Sequence, residues 1–117
     1  MTPEGKVKAL VKDVLKEEGG WHYMPVQNGM GRVGIPDIIG CYPLTITEDM
    51  VGKRIGVFIA VETKAPGKIK NTTANQKRNL MDIHEAGGVA IVADQKGIVQ
   101  LSLERLSQSG TCDYWVP

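Results

Sequence analysis

The sequence predicts an α/β domain in which helices flank a mixed β-sheet, in the order α-β-β-β-α-β-β. Three observations point there. An amphipathic helical stripe opens the chain, and strand-sized apolar runs occupy residues 55–61 and 87–93. A polar segment of helical length separates those two runs, as a crossover between parallel strands requires. At 117 residues the chain fits one domain, 1–117, with room for a single core and not for two.

The first helix is read from Val7, Leu10, Val11, Val14 and Leu15, which recur at i, i+3, i+4, i+7 and i+8. Thr2 is its expected cap, Pro3 takes the first helical position, and Glu4 stands in the first turn. Gly19-Gly20 ends it. Residues 21–26 read as a short strand, and residues 27–34 as a glycine-rich loop that a ligand or backbone can approach closely. Residues 35–42 form the second strand, with Pro36 at its start because proline in a central strand removes a ladder donor.

A polar excursion over residues 43–54 precedes residues 55–64, a run rich in β-branched residues that reads as a central strand. Residues 65–71 are a loop, 73–85 the second helix, and Gly87-Gly88 its end. Val89–Ala93 is the fourth strand, 98–101 a fifth, and 103–106 a helical turn. No internal repeat is visible.

Composition narrows the classes. Hydrophobic residues make up 42%, yet no apolar run is long enough to span a bilayer, so no membrane role is expected. The amino terminus lacks the apolar core of a secretion signal, which makes a cytoplasmic location the expectation. Cys41 and Cys112 fit no metal-ligand spacing; a disulfide is one reading, and two free thiols of a reducing compartment the blander one. His22 and His84 belong to no metal or triad constellation and are read as packing or surface residues. Net charge is only +1, but Lys53, Arg54, Lys64, Lys68, Lys70, Lys77 and Arg78 crowd one segment against a single acid, Glu62. Such a segment is either a phosphate-facing surface or a solvated loop.

On the third strand, alternation sends Phe58, Ala60, Glu62 and Lys64 to one face. Two charges at the end of an apolar strand are costly to bury unless they pair or bind something. The bland account is an ion pair between Glu62 and Lys64 at a sheet rim. Asp37 shifts the balance, because Pro36-Asp37 opens another strand after the glycine-rich loop. If those strands are neighbours, Asp37 and Glu62 can share one divalent cation, with Lys64 beside its water; otherwise Asp37 is an ordinary strand-start aspartate.

Ile35-Pro36-Asp37 followed by Glu62-Thr63-Lys64 resembles the PD-(D/E)xK nuclease superfamily. The wider pattern is similar to its VRR-NUC branch: an early helical Glu, an Asn-Gly-rich loop with Arg32, Gly34-Ile35-Pro36-Asp37, then Glu62-Thr63-Lys64-Ala65-Pro66-Gly67. A helix starting near Gln76 and Gly87-Gly88 before an apolar strand complete it. The likeness runs from about Glu4 to Asp94; each piece is weak alone, and their order and spacing make it fairly specific.

The resemblance implies a restriction-endonuclease-like sheet and a metal-dependent endonuclease acting on DNA. Asp37 and Glu62 are then metal ligands together with the main-chain carbonyl of Thr63, Mg²⁺ is the cofactor with Mn²⁺ able to substitute, and Lys64 orients the attacking water. Branches of this size resemble stand-alone phage or bacterial enzymes related to Holliday-junction resolvases, which work as homodimers on branched DNA. Glu4 matches an acid that completes the metal shell, although a first-turn acid is also favoured by the helix dipole. Gln76 matches a glutamine of the active centre, although Thr73-Ala74-Asn75-Gln76 is equally a capping box. Asn28, Arg32, Lys68 and Lys70 are the candidate DNA contacts, each otherwise a solvated surface residue. The rivals are a nucleic-acid-binding module without chemistry and a structural α/β domain whose motif is accidental.

Overall fold

The structure, a computed structural model, describes residues 2–26, 34 and 36–109. Those residues form a mixed α/β arrangement of three α-helices and two small two-stranded sheets. The chain divides into two compact units, Met1–Thr45 and Ile46–Pro117. Among the described residues no helix is long and apolar enough to cross a membrane.

In the first unit, α1 runs Pro3–Glu17 and begins as the sequence predicts. The Thr2 hydroxyl accepts the Gly5 amide at 3.0 Å, satisfying one of the orphan donors of the first turn. At its other end Gly19 takes φ +78°, its amide donates to the Lys16 carbonyl at 3.1 Å, and the Gly20 amide donates to the Leu15 carbonyl at 2.9 Å. This is the paired-bond glycine termination that only a residue free of a Cβ adopts cheaply. β1 (Trp21–Tyr23) and β2 (Ile39–Cys41) then pair antiparallel, with Trp21 opposite Cys41 and Tyr23 opposite Ile39. A Cβ on Gly40 would lie 3.8 Å from the Leu15 side chain, so α1 rests Leu15 against this pair. The rest of the apolar stripe stays open: Val7, Leu10, Val11 and Val14 are all exposed, and α1 buries no residue fully.

Both strands are shorter than the sequence suggests. The first stops at Tyr23, two residues before Pro25, and the second starts at Ile39 rather than at residue 35. Asp37 therefore does not open a strand; it sits in a bend two residues earlier. Pro36 excludes itself from the ladder more completely than a strand-start position demands.

In the second unit, a single 3₁₀ turn at Glu48–Met50 interrupts the polar excursion. β3 (Ile59–Thr63) pairs in parallel with β4 (Val89–Ala93), in a register that sets Glu62 beside Val92 and Thr63 beside Ala93. The ladder reaches one residue further each way, from the Val89 amide to the Phe58 carbonyl (2.8 Å) and from the Lys64 amide to the Ala93 carbonyl (2.9 Å). A 3₁₀ turn at Ile69–Asn71 leads into α2 (Ala74–Glu85). Its end repeats the device of α1: Gly87, at φ +91°, donates to the His84 carbonyl and Gly88 to the Ile83 carbonyl.

β4 is buried along its whole length. Its Val89, Ile91 and Ala93 pack against Ile98, Val99 and Leu106 of the last helix, α3 (Lys96–Ser109), which closes one face of the pair. The other face carries Ala60, Glu62, Ala90 and Val92; α2 packs on both strands, and its buried residues are Leu80 and Ile83. Two helices on opposite faces thus account for an all-apolar strand without alternation. β3, expected to be central, is instead half-exposed, and among the described residues it pairs with β4 alone.

The expected fifth strand at residues 98–101 is a correction. These residues belong to α3, so the observed order is α-β-β-β-α-β-α. The β-branched pair Ile98-Val99 suggests a strand locally, but Ile98, Ser102 and Leu106 fall at i, i+4 and i+8; Ser102 is buried, and Ile98, Val99 and Leu106 meet β4. Tertiary burial overrides the local preference.

Candidate active site

The second unit gathers one cluster of the predicted residues. Glu62, the fourth residue of β3, is half-buried and shares its face with Lys64, the first residue beyond the strand. The Lys64 backbone is fixed by its amide bond to Ala93. Its side chain is fixed as well, because Nζ donates to Oε1 of Gln76 at 2.9 Å.

Gln76 reaches Lys64 because of where it falls on α2. Gln76, Leu80 and Ile83 stand at i, i+4 and i+7, so the glutamine extends the stripe that Leu80 and Ile83 bury on the sheet. The same Oε1 accepts the Thr73 amide at 2.9 Å, and the Thr73 hydroxyl accepts the Gln76 amide at 3.1 Å. The capping box and the contact with the lysine are therefore one arrangement and not alternatives.

The bland account of Glu62 and Lys64 is not what is observed. Lys8 pairs with Asp37, and among the described residues no ion pair involves Glu62. Lys64 donates to a neutral amide, and Glu62 is half-buried two residues earlier on the same face.

Asp37 lies in the first unit. Its carboxylate stands 3.9 Å from Nζ of Lys8, a long contact between side chains that are 53% and 33% exposed. Exposed pairs of this kind contribute about 0–1 kcal/mol, so the bridge is easily displaced. Glu4 is exposed in the first turn of α1, one helical turn before Lys8 and on the same side of the helix. Lys8 carries no motif, and the one sequence signal that could have found it is its i+4 spacing from Glu4.

Thr63 is exposed at the end of β3. Lys68 precedes the Ile69–Asn71 turn and Lys70 lies within it; both are exposed. Asn28 and Arg32 lie outside the described residues, as does Cys112. His22 is half-buried in β1 and His84 exposed near the end of α2. Cys41 is buried in β2, and that burial pushes its thiol pKa up.

Asp37, Glu62 and the Thr63 carbonyl are hard oxygen donors, the chemistry that suits Mg²⁺ or Mn²⁺. Among the described residues no group of three or more His, Cys, Asp or Glu side chains gathers to hold a metal ion. The sequence pattern did not disclose Asp94, whose carboxylate accepts the Gly67 amide at 2.8 Å just past the cluster. No protein-family model matches the chain, and no curated protein or solved structure matches it either.

Proposed function

We propose that the chain is a metal-dependent endonuclease of the PD-(D/E)xK type, VRR-NUC branch, hydrolysing phosphodiester bonds in DNA, with branched DNA as its preferred substrate. The observation that carries this reading is the bond between Lys64 and Gln76 beside the half-buried Glu62. An ammonium held by a neutral amide keeps its full charge available to an anion, and a carboxylate free of an ion pair remains available to a cation. Both stand at the carboxyl end of a parallel strand pair, where α/β sheets bind their ligands. The positive end of α2 and the exposed Lys68 and Lys70 add attraction for phosphate.

In this proposal Asp37 and Glu62 hold the cation with the Thr63 carbonyl, and Glu4 can join through water. Such a cation, when bound, supplies Lewis acidity towards a phosphoryl oxygen and acidifies water. Lys64 aims the attacking water and offsets the negative charge that grows on the phosphoryl oxygens. Gln76 holds Lys64 in the pose that does this. The water oxygen bonds to phosphorus, the P–O bond to the leaving sugar oxygen breaks, and a proton passes to that oxygen. Asn28, Arg32, Lys68 and Lys70 contact phosphates without reading sequence. A restriction-endonuclease-like sheet, a homodimer and a cytoplasmic setting belong to the same proposal.

The test is cleavage of labelled four-way junction, flap and duplex DNA with Mg²⁺, with Mn²⁺ and with EDTA. Cutting that needs the cation and is lost in Asp37→Ala and Lys64→Ala supports the assignment; robust cutting by both variants removes it. Sedimentation at twice the chain mass checks the dimer.

A further inference from the structure

We infer that Asp94 is a positioning residue of this centre, its carboxylate latching the turn that leaves Lys64. The inference rests on the nuclease reading and deepens it. Asp94 is the first residue after β4. Its predecessor Ala93 holds the Lys64 amide through its carbonyl, and Asp94 itself holds the Gly67 amide through Oδ2 at 2.8 Å. Two consecutive residues at the end of one strand thus grip residues 64 and 67 of the segment leaving its neighbour, 27 positions away in sequence from Gly67 to Asp94. The Lys68 amide returns to the Ala65 carbonyl at 2.9 Å and closes the turn 65–68, in which the gripped Gly67 lies.

The chemistry of the latch is not that of a stability device. A carboxylate accepting a main-chain amide makes a strong, charge-assisted bond. Its second oxygen, Oδ1, is buried and has no hydrogen-bond partner among the described residues. A buried acceptor left unmatched lowers stability, so a carboxylate kept here trades stability for a fixed turn. What that turn fixes is the course of the chain between Lys64, already tied to Gln76, and the exposed Lys68.

The experiment compares wild type, Asp94→Ala and Asp94→Asn for turnover on saturating Mg²⁺ and branched DNA, for KM, for Tm and for hydrogen exchange at the Gly67 amide. Asp94→Ala is expected to speed Gly67 exchange at least ~10-fold and to lower kcat by about 10- to 100-fold with KM nearly unchanged, the pattern of a misplaced catalytic group. Asn retains an oxygen for the Gly67 amide, so Asp94→Asn is expected within about 3-fold of wild-type kcat and keeps the test open should the alanine variant fold poorly. Unchanged kcat or unchanged Gly67 exchange in Asp94→Ala overturns the latch alone. Asp94→Asn as slow as Asp94→Ala also overturns it, since charge and not the bond would then matter. A wild type that cuts no DNA with any divalent cation overturns the nuclease reading and this role with it.

Discussion

The Lys64 ammonium and the Gln76 side-chain oxygen meet at 2.9 Å, and that oxygen simultaneously caps α2 through the Thr73 amide. One atom therefore couples the start of a helix to the lysine that follows β3. If Lys64 supplies charge to a phosphate in transit, Lys64→Ala should lower kcat by about 10²–10³, the usual loss when one donor to a developing charge is removed. Gln76→Ala should cost less, about tenfold, because the ammonium survives and only its aim is lost. The double variant should be little slower than Lys64→Ala alone, since both act through one group. Single-turnover cleavage checks all three, and additive losses would mean that Gln76 acts independently of the lysine.

Thr73 is the anchor beneath this arrangement. Its hydroxyl accepts the Gln76 amide at 3.1 Å, so Thr73→Ala unties the first turn of α2. Losing such a cap costs about 0.5–2 kcal/mol, which thermal melting would register as a Tm lower by several degrees. Thr73→Ser keeps the hydroxyl and should melt close to wild type. Because Gln76 rides on that turn, Thr73→Ala should also share part of the turnover defect of Gln76→Ala, while Thr73→Ser should not.

The parts of the fold that were legible in the sequence are those fixed by local chemistry. Thr2-Pro3 and Gly19-Gly20 bracket α1, Thr73 and Gly87-Gly88 bracket α2, and each marker does in the structure what its residue type allows. Val89–Ala93 was legible because five apolar residues between turn signals leave few alternatives. Strand ends were not, since pairing stops where the partner stops, as at Tyr23 opposite Ile39. Residues 98–101 were misread because four residues cannot show a period that becomes visible only when Ser102 and Leu106 join the stripe. In the candidate site, the shared face of Glu62 and Lys64 was legible from strand alternation and the capping role of Gln76 from its spacing to Thr73, whereas the bond between Lys64 and Gln76 joins residues of separate elements. Asp94 was not legible, since its partner Gly67 lies far off in sequence, and Lys8 offered only its i+4 spacing from Glu4 while its partner Asp37 is likewise distant.

If Asp37 and Glu62 share a cation, as proposed, its binding should register without any substrate. Bound ligand stabilises by RT ln(1 + [L]/Kd), about 2.7 kcal/mol at a hundredfold excess over Kd, so Tm should climb with added Mg²⁺ or Mn²⁺. Glu62→Gln and Asp37→Asn should each flatten that climb. Lys8→Ala should steepen it, because it removes the ammonium that stands 3.9 Å from the Asp37 carboxylate. Loss of so exposed a pair should itself shift stability by less than about 1 kcal/mol. A flat melting curve for wild type across both cations would refute the shared site.

Cys41 gives a prediction that depends on no functional reading. The thiol is buried in β2 opposite Trp21, and desolvation raises its pKa above that of a thiol in the unfolded chain. The unfolded state thus ionises first. Stability from this group is fully present below the unfolded value, about 8.5, and is lost as pH rises above it towards the higher folded value. Denaturant midpoints measured from pH 7 to 10 should fall more steeply in wild type than in Cys41→Ala, which has no thiol to ionise. The variant will start lower, because truncating a packed side chain leaves unfilled volume, so the slopes and not the midpoints decide. Parallel slopes would show that ionisation of Cys41 does not contribute to the alkaline loss of stability.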